Sequence, residues 1–169
     1  MTPLPPPLGS GELLLWRLDD AMHAVAWDSG EGSYRYGGRW SPIGMRVVYA
    51  ALDPATAILE VAVHRTFQAL DTTPHVLTWA RIVDLRQVHV VGGSVVPNPN
   101  WLSPGAPSAG QQDFGGELVQ THAFVLLPSV VSVHSWNVIF DPSKVAGLYD
   151  RVGQEPFALD TRLHPPGRA

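Results

Sequence analysis

The stretch "GGRWSPIGMRVVYAALDPATAILEVAVH", residues 37–64, contains a loop, a strand and a helix in succession. Its β-branched segment 45–51 predicts a strand. Asp53 then fits a helix N-cap, and Pro54 fits the first helical position, where its missing N–H is not needed. We therefore predict a helix over residues 53–70. Short strands around this one principal helix indicate an α+β fold.

The predicted helix is apolar around most of its circumference. At about 100° per residue, one broad face is expected to be buried, made by Ile58, Leu59, Ala62, Val63, Ala69 and Leu70. A narrow stripe remains, made by Thr56, Glu60, His64 and Phe67. An ionised glutamate on such a helix is costly without a partner. Glu60 is therefore expected to pair with an arginine or to face a ligand whose charge it stabilises.

The rest of the chain predicts further strands over residues 12–18, 75–85, 88–91, 123–127 and 136–140. Loops are predicted over 28–38 and 92–116, and a short helix is expected to begin at 117–120. Residues 1–11 are expected to form an extended lead-in, 12–160 one domain, and 161–169 a flexible tail.

Composition excludes several classes of protein. The chain has 169 residues, 45% of them hydrophobic and 15% charged, which is typical of one globular domain. It contains no cysteine, which excludes disulfides, a thiolate nucleophile and cysteine-ligated zinc. The net charge of -4 argues against direct nucleic-acid binding. There is no apolar run of about 20 residues and no signal-peptide pattern, so we expect a cytoplasmic protein without a membrane partner.

Arg39 follows two glycines and admits two interpretations. Its guanidinium either ties loop carbonyls together beside Trp40, or it captures a phosphate or carboxylate with its planar set of donors. Glycines beside it would let a ligand approach the backbone closely. Arg17, near the end of the first predicted strand, offers a second guanidinium. Two arginines, several tyrosines and a glutamate on a helix fit a nucleotide with a diphosphate.

Glu60 also has a specific use in breaking an N-glycosidic bond. Loss of nicotinamide from NAD develops positive charge on the ribose, and a carboxylate stabilises that charge or holds the ribose hydroxyls. Tyr49 is either a ring-stacking or hydroxyl-donating residue at such a site, or an ordinary aromatic residue of a strand.

Two other chemistries have weaker support. Glu60 and His64 lie four residues apart on one helix, but no third metal ligand is indicated, so we expect no metal. A serine hydrolase would use Ser129 or Ser135 with His122 or His134, yet no G-x-S-x-G motif is present. Ser129 is interpreted either as a turn residue or as a hydroxyl for a phosphate.

The segments "LWRL", "GGRWSPIGMRVVYAALDPATAILEVAVH" and "LLPSVV…WNVIFDP" resemble the RES domain family over about residues 13–145. That resemblance implies an ADP-ribosyltransferase-like fold and a toxin of a toxin–antitoxin pair that degrades NAD by hydrolysis or phosphorolysis. Some members modify proteins instead. It also implies an antitoxin partner with an Xre-like helix-turn-helix region that covers the active site. NAD would be a substrate and inorganic phosphate a co-substrate, with no cofactor.

The resemblance assigns roles to six residues by motif. Arg17 and Arg39 would anchor NAD, Tyr49 would position its nicotinamide end, and Glu60 would stabilise the ribosyl cation. Ser129 would hold a phosphate or ribose group. Asn137 matches a binding residue of the last motif.

Three positions depart from the family pattern. Ser41 stands where asparagine is usual, Ala51 where serine is common, and Asp141 where a second asparagine is usual. Residues 92–116 resemble an insertion. Protein ADP-ribosylation and a non-catalytic nucleotide-binding or partner-binding module remain the alternatives to NAD depletion.

Overall fold

A computed structural model describes residues 12–163. The lead-in predicted for 1–11 and the end of the predicted tail, 164–169, lie outside the described residues. Thr161–Leu163, at the start of that tail, form a short 3-10 turn.

The described chain contains one seven-stranded sheet with the order β4-β5-β6-β2-β1-β3-β7. Its strands are β1 (Leu13–Asp20), β2 (Val48–Ala51), β3 (His75–Ile82), β4 (Val88–Val90), β5 (Phe124–Pro128), β6 (Trp136–Phe140) and β7 (Tyr149–Phe157). Neighbouring strands are antiparallel, except for the parallel pair β4 and β5. Five of these strands, β2 to β6, were predicted close to their observed bounds. The strand predicted over 12–18 matches β1 except for its last two residues.

The sheet has a narrow seam between β1 and β2. These strands share a single register pair, Trp16 with Ala51, whereas β1 pairs with β3 along its whole length from Leu13 to Asp20. The sheet therefore consists of a four-stranded part and a three-stranded part that meet at one point. Near that point, backbone N–H and carbonyl groups of β1 and β2 are not all paired between the strands, and side chains can bond to them.

The three α-helices of the described chain are α1 (Glu31–Tyr36), α2 (Pro54–Thr72) and α3 (Ala109–Thr121). None of the helices within residues 12–163 is long and apolar enough to cross a membrane. Helix α2 begins as predicted, since the Asp53 side chain accepts a hydrogen bond from the Thr56 amide and Pro54 occupies the first turn. It covers β1 and β2.

The predicted buried face of α2 is only partly correct. Ala62 and Leu70 are buried, but Leu59 is 38% exposed and Val63 60% exposed. Phe67, predicted on the polar stripe, packs against the cluster around Leu70. A break at Thr66, whose φ of 72° interrupts the helix, changes the direction of the residues after it and so accounts for Phe67. Before the break, the exposure of Leu59 and Val63 shows that the buried face is narrower than predicted.

Both predicted long loops contain a helix. The 28–38 segment includes α1. Residues 109–116 of the other segment belong to α3, so this helix begins before the start predicted at 117–120, and Ser108 caps it by accepting a hydrogen bond from the Gln111 amide. Glycine lowers helix propensity, which hid α3 in the sequence. Gly115 is required there because a Cβ at this position would lie 2.3 Å from the Trp40 carbonyl oxygen.

The last strand, β7, was not predicted. It is an edge strand with one partner, β3, and most of its residues are exposed or half-buried. It therefore lacks the apolar alternation by which a strand is recognised in sequence.

Candidate functional site

Three of the predicted site residues meet at one carboxylate group. The Ser129 hydroxyl donates to Glu60 Oε1 over 2.9 Å, and the Asn137 side-chain amide donates to the same oxygen over 2.6 Å. Glu60 Oε2 has no hydrogen-bond partner among residues 12–163. One oxygen is thus fixed by the protein, and the other is available to a ligand.

The sheet register explains this meeting. Asn137 lies on β6 opposite Ala51 of β2 and opposite Leu127 of β5, and directly opposite residues point to the same face. Helix α2 follows β2 after a short connection and carries Glu60 back over that strand. The small side chain of Ala51, where the family commonly has serine, lies between β1 and Asn137 in this row.

Ser129 is a saturated, buried hydroxyl. It is 0% exposed, it donates to Glu60, and it accepts the Ser132 backbone N–H over 3.2 Å. Its own N–H is bonded to the Ser135 carbonyl over 3.0 Å, which closes the loop between β5 and β6. Ser135 bonds through its hydroxyl to Ser132 and has no contact with Glu60. The geometry therefore gives Ser129 a positioning role toward the Glu60 carboxylate.

Tyr49 is held at both ends. Its hydroxyl accepts the Trp40 backbone N–H over 3.1 Å and lies 2.8 Å from the Ser41 hydroxyl, while its backbone carbonyl accepts from Arg17 over 2.7 Å. Burial raises the pKa of the Tyr49 hydroxyl to about 12, against the opposing effect of these hydrogen bonds and of the Arg39 charge. The hydroxyl is therefore neutral at physiological pH and cannot act as a base there.

The turn that carries Arg39 is fastened by Tyr49. Gly38 and Ser41 pair across it, with the Gly38 N–H bonded to the Ser41 carbonyl over 2.9 Å. A Cβ at Gly38 would lie 2.4 Å from the Tyr49 hydroxyl oxygen, and Gly37 has a φ of 71°. The glycine pair before Arg39 is thus explained by internal packing and backbone conformation, without a ligand at the backbone.

Arg39 itself is half-buried, and both of its predicted environments are partly present. It donates to the carbonyl oxygens of Trp101 and Ser103 over 3.1 and 3.4 Å. Loop carbonyls are therefore its partners, as in the structural interpretation. It forms no ion pair with any carboxylate of residues 12–163, however, so its charge is not neutralised.

The guanidinium of Arg17 already has partners within the protein, unlike that of an arginine left free to bind a phosphate. Its Nε and Nη2 contact the Asp19 carboxylate over 2.9 and 2.8 Å, and its Nη1 donates to Tyr49. Register places Trp16 on the same face as Ala51 and Asn137, so Arg17 starts from the opposite face and reaches the seam between β1 and β2. In the structure, Arg17 therefore serves to hold β2 in place.

The two groups of residues share one face of the sheet. Tyr49 lies two residues from Ala51 on β2, and Asn137 is opposite Ala51. Diagonal neighbours of this kind are about 7–8 Å apart. Tyr49, which fastens the turn with Arg39, and Asn137, which holds the carboxylate of Glu60, therefore lie on the same face of the sheet.

The histidines named in the sequence analysis, all of them within residues 12–163, do not contact the candidate serines or Glu60 through hydrogen bonds. His122 stacks on His89, with ring centroids 3.9 Å apart, and neither His122 nor His134 bonds to Ser129 or Ser135. His64 is exposed and does not pair with Glu60. Across residues 12–163 there is no group of three or more His, Asp or Glu side chains that could hold a metal ion.

Sequence reasoning missed three contributors to the site. Asp19 neutralises Arg17, the Ser41 hydroxyl contacts Tyr49, and the segment around Trp101 covers Arg39. The Arg-x-Asp spacing on β1 is a usable signal for the first contact, because residues i and i+2 of a strand share a face. Backbone carbonyls carry no sequence signal, so the last contact needs tertiary structure.

The fold and site define an α+β protein in which a glutamate on a helix is held by a serine and an asparagine, and in which a tight turn fastened by Tyr49 carries an arginine. The chain belongs to the RES domain family, whose sequence profile matches residues 14–160. The α+β, ADP-ribosyltransferase-like fold implied by the resemblance is thus confirmed.

Curated relatives cover most of the chain. A protein named "Toxin Res" from Photorhabdus laumondii is 31% identical over 157 residues, which cover 89% of this chain and 97% of that protein. The "Prs ADP-ribosylating toxin" of a Sphingobium species is 33% identical over 136 residues, covering 76% and 81%. A chain of the M. tuberculosis MbcT–MbcA toxin–antitoxin complex shares the fold, with a TM-score of 0.70, 18% identity, and coverage of 88% and 85%.

Proposed function

We propose that this chain is the toxin of a toxin–antitoxin pair and that it depletes NAD by breaking the bond between nicotinamide and ribose. The observation that carries the proposal is the Glu60 carboxylate, with Oε1 fixed by Ser129 and Asn137 and Oε2 left free. A carboxylate held in this way needs no reorganisation when a positive charge develops beside it. The toxin names of the relatives support the same conclusion.

In the proposed reaction the C–N glycosidic bond breaks and its electron pair leaves with nicotinamide, which departs as a neutral molecule. The ribose carbon becomes an oxocarbenium centre, and Glu60 offsets its charge. Water or inorganic phosphate then adds to that carbon. With water, one proton is released to solvent and ADP-ribose is formed; with phosphate, the product is ADP-ribose phosphorylated at that carbon.

Arg39 supplies the anchor for the diphosphate of NAD in this proposal. It is the one site arginine without a carboxylate partner in the described chain, whereas Arg17 is already paired with Asp19. Arg17 then supports the site through Tyr49, and Tyr49 supports the Arg39 turn. Ser129 and Asn137 position Glu60.

The acceptor distinguishes the alternatives. The name of the Sphingobium relative favours a protein side chain as a second candidate acceptor, which would make the chain a protein ADP-ribosyltransferase. We propose NAD degradation, with water or inorganic phosphate as the acceptor, as the main reaction. We further propose that the protein acts in the cytoplasm, where NAD is available, and that an Xre-like antitoxin blocks the site.

The direct test is to incubate the purified chain with NAD, with and without inorganic phosphate, and to identify the products by mass spectrometry. Nicotinamide release proportional to protein concentration, and absent in Glu60→Ala, supports NAD cleavage. ADP-ribose alone indicates hydrolysis, and a phosphorylated product indicates phosphorolysis. No nicotinamide release under either condition would favour the non-catalytic binding module. Release that occurs only with an added protein, which gains mass, would indicate protein ADP-ribosylation.

A further inference from the structure

Arg39 is an under-compensated charge. Its acceptors are two neutral carbonyl oxygens, of Trp101 and Ser103, and the second lies at 3.4 Å, near the limit for a hydrogen bond. A charged oxygen acceptor forms a shorter and stronger bond to a guanidinium than a neutral carbonyl does. Arg39 is therefore occupied by partners that a phosphate can replace.

The two carbonyls come from a well-defined segment, Asn98–Ser103, which we call the Arg39 strap. Two turns shape it, with the Trp101 N–H bonded to the Asn98 carbonyl over 3.2 Å and the Ser103 N–H bonded to the Asn100 carbonyl over 2.9 Å. The Asn98 side chain also accepts the Asn100 N–H over 2.9 Å. The carbonyls thus face Arg39 because the strap is folded.

One side of the strap is anchored and the other is free. Trp101 is 5% exposed, and its ring centroid lies 5.8 Å from that of Trp40, next to the Arg39 turn. In contrast, Leu102 and Ser103 are exposed, and so are the residues that follow the strap up to Ala106, where Gly105 has a φ of 110°. The outer part can therefore shift without opening the core.

We propose that the Arg39 strap is an internal ligand of Arg39 that the phosphate groups of the substrate displace, so that the strap sets the affinity and the anion selectivity of the site. This inference rests on the proposed function for the identity of the anion. Weakly charged or singly bonded anions do not replace two carbonyls. A diphosphate, with several charged oxygens, does.

The strap lowers the apparent affinity because the guanidinium must be released before the anion is bound. Loosening the strap should therefore tighten binding, which is the opposite of what the loss of a substrate contact does. The direction of the change in affinity therefore distinguishes a strap that competes with the anion from a strap that merely lines the binding site.

Ser103 offers a matched pair of variants. Ser103→Pro removes the N–H that is bonded to Asn100 and so loosens the turn, whereas Ser103→Ala keeps that N–H and removes only an exposed hydroxyl. Asn98→Ala removes the acceptor of the Asn100 N–H, together with the 3.4 Å hydrogen bond that Asn98 donates to Gln111 Oε1, and gives a second way to loosen the strap. Each variant is also made in an Arg39→Ala background.

The measurement is the dissociation constant of ADP-ribose by calorimetry, with nicotinamide release as a separate assay. We expect Ser103→Pro and Asn98→Ala to bind ADP-ribose about threefold to tenfold more tightly than wild type. Ser103→Ala should match wild type, and the gain should vanish without Arg39. The proposal would be overturned if Ser103→Pro and Ser103→Ala bound ADP-ribose equally well, or if Ser103→Pro bound it more weakly than wild type. Wild-type protein that does not bind ADP-ribose also overturns it, while nicotinamide release would still support the proposed function.

Discussion

The Asn137 amide and the Ser129 hydroxyl donate to the same oxygen of Glu60, over 2.6 and 2.9 Å, so that the carboxylate is fixed on one side only. The amide orientation follows from this contact, because its oxygen would repel a carboxylate. Asn137 Oδ1 is consequently buried without a hydrogen-bond partner among the residues that the structure describes. The arrangement gives a carboxylate that is held through one oxygen, while the other oxygen has no hydrogen-bond partner among residues 12–163, and the predictions below depend on it.

Glu60→Gln should nearly abolish NAD cleavage and leave the fold intact. The amide oxygen can still accept from Ser129 and Asn137, but the charge that offsets the oxocarbenium ion is lost. We expect a decrease in kcat of about 100-fold or more, with little change in thermal melting. Glu117→Gln, at an exposed carboxylate of α3, is the matched control and should retain full activity. Wild-type rates in Glu60→Gln would rule out a catalytic role for Glu60.

Ser129→Ala should reduce both activity and stability. It removes the acceptor of the half-buried Ser132 N–H and leaves Glu60 Oε1 with Asn137 as its one remaining donor, which costs about 1–3 kcal/mol in the free energy of unfolding. Ser135→Ala, which loses a hydroxyl contact remote from Glu60, should have the smaller effect on kcat. Urea unfolding and nicotinamide release measure the two effects. A larger loss of kcat in Ser135→Ala would contradict the assignment, as would labelling of Ser129 by an organophosphonate.

Arg39→Lys should raise the KM for NAD with a smaller effect on kcat. Both side chains are charged, but the ammonium group cannot make the paired contacts of a planar guanidinium. We expect an increase in KM of about tenfold, and Arg35→Lys, at an exposed arginine of α1, should leave it unchanged. Steady-state kinetics decide the matter: unchanged KM and kcat would assign Arg39 a purely structural role.

Stability should fall as the pH is lowered below neutrality, in part because of His122. Burial, followed by the charge of the stacked His89, lowers the pKa of His122 below its usual value of 6.5. The unfolded chain therefore binds a proton more readily than the folded chain. His122 imposes no penalty well above pH 6.5, and its penalty grows as the pH falls from there through its folded pKa.

The test compares melting temperatures at pH 7.5 and pH 5.5. His122→Gln should show a smaller decrease than wild type over this interval, whereas His64→Gln, at an exposed histidine of α2, should show the same decrease as wild type. A decrease that is unchanged in His122→Gln would remove this residue as a source of acid sensitivity.

The chain should form a stable complex with a helix-turn-helix antitoxin. A carboxylate of the partner would complement Arg39, whose charge is unpaired in the described chain, better than it would complement Arg17, which already pairs with Asp19. Co-expression with the neighbouring gene product, followed by size-exclusion chromatography and an NAD assay, measures both binding and inhibition.

We expect co-elution with loss of NAD cleavage, and we expect Glu60→Gln to co-elute as well. A complex that retains full activity would contradict blocking of the site. Separate elution of the two proteins would contradict the partnership itself.

The sequence by itself determined the local features of this protein. The strand and helix of residues 45–70 follow from β-branched composition, the Asp53 cap and Pro54, and these signals act over a few residues. The motif resemblance also selected Glu60, Ser129 and Asn137, which the structure brings together. Their individual roles remain predictions.

Tertiary structure decided what depends on distant neighbours. Position 115 of α3 must be a glycine because Trp40 packs against it, and Thr66 interrupts a helix whose hydrophobic pattern continues past it. Arg17 is occupied by Asp19 and by the backbone of Tyr49, and Arg39 by the carbonyls of Trp101 and Ser103. Every residue has the same backbone carbonyl, so a sequence pattern cannot indicate which one a guanidinium will contact. That selection is made only when the sheet register and the turns bring the two segments together.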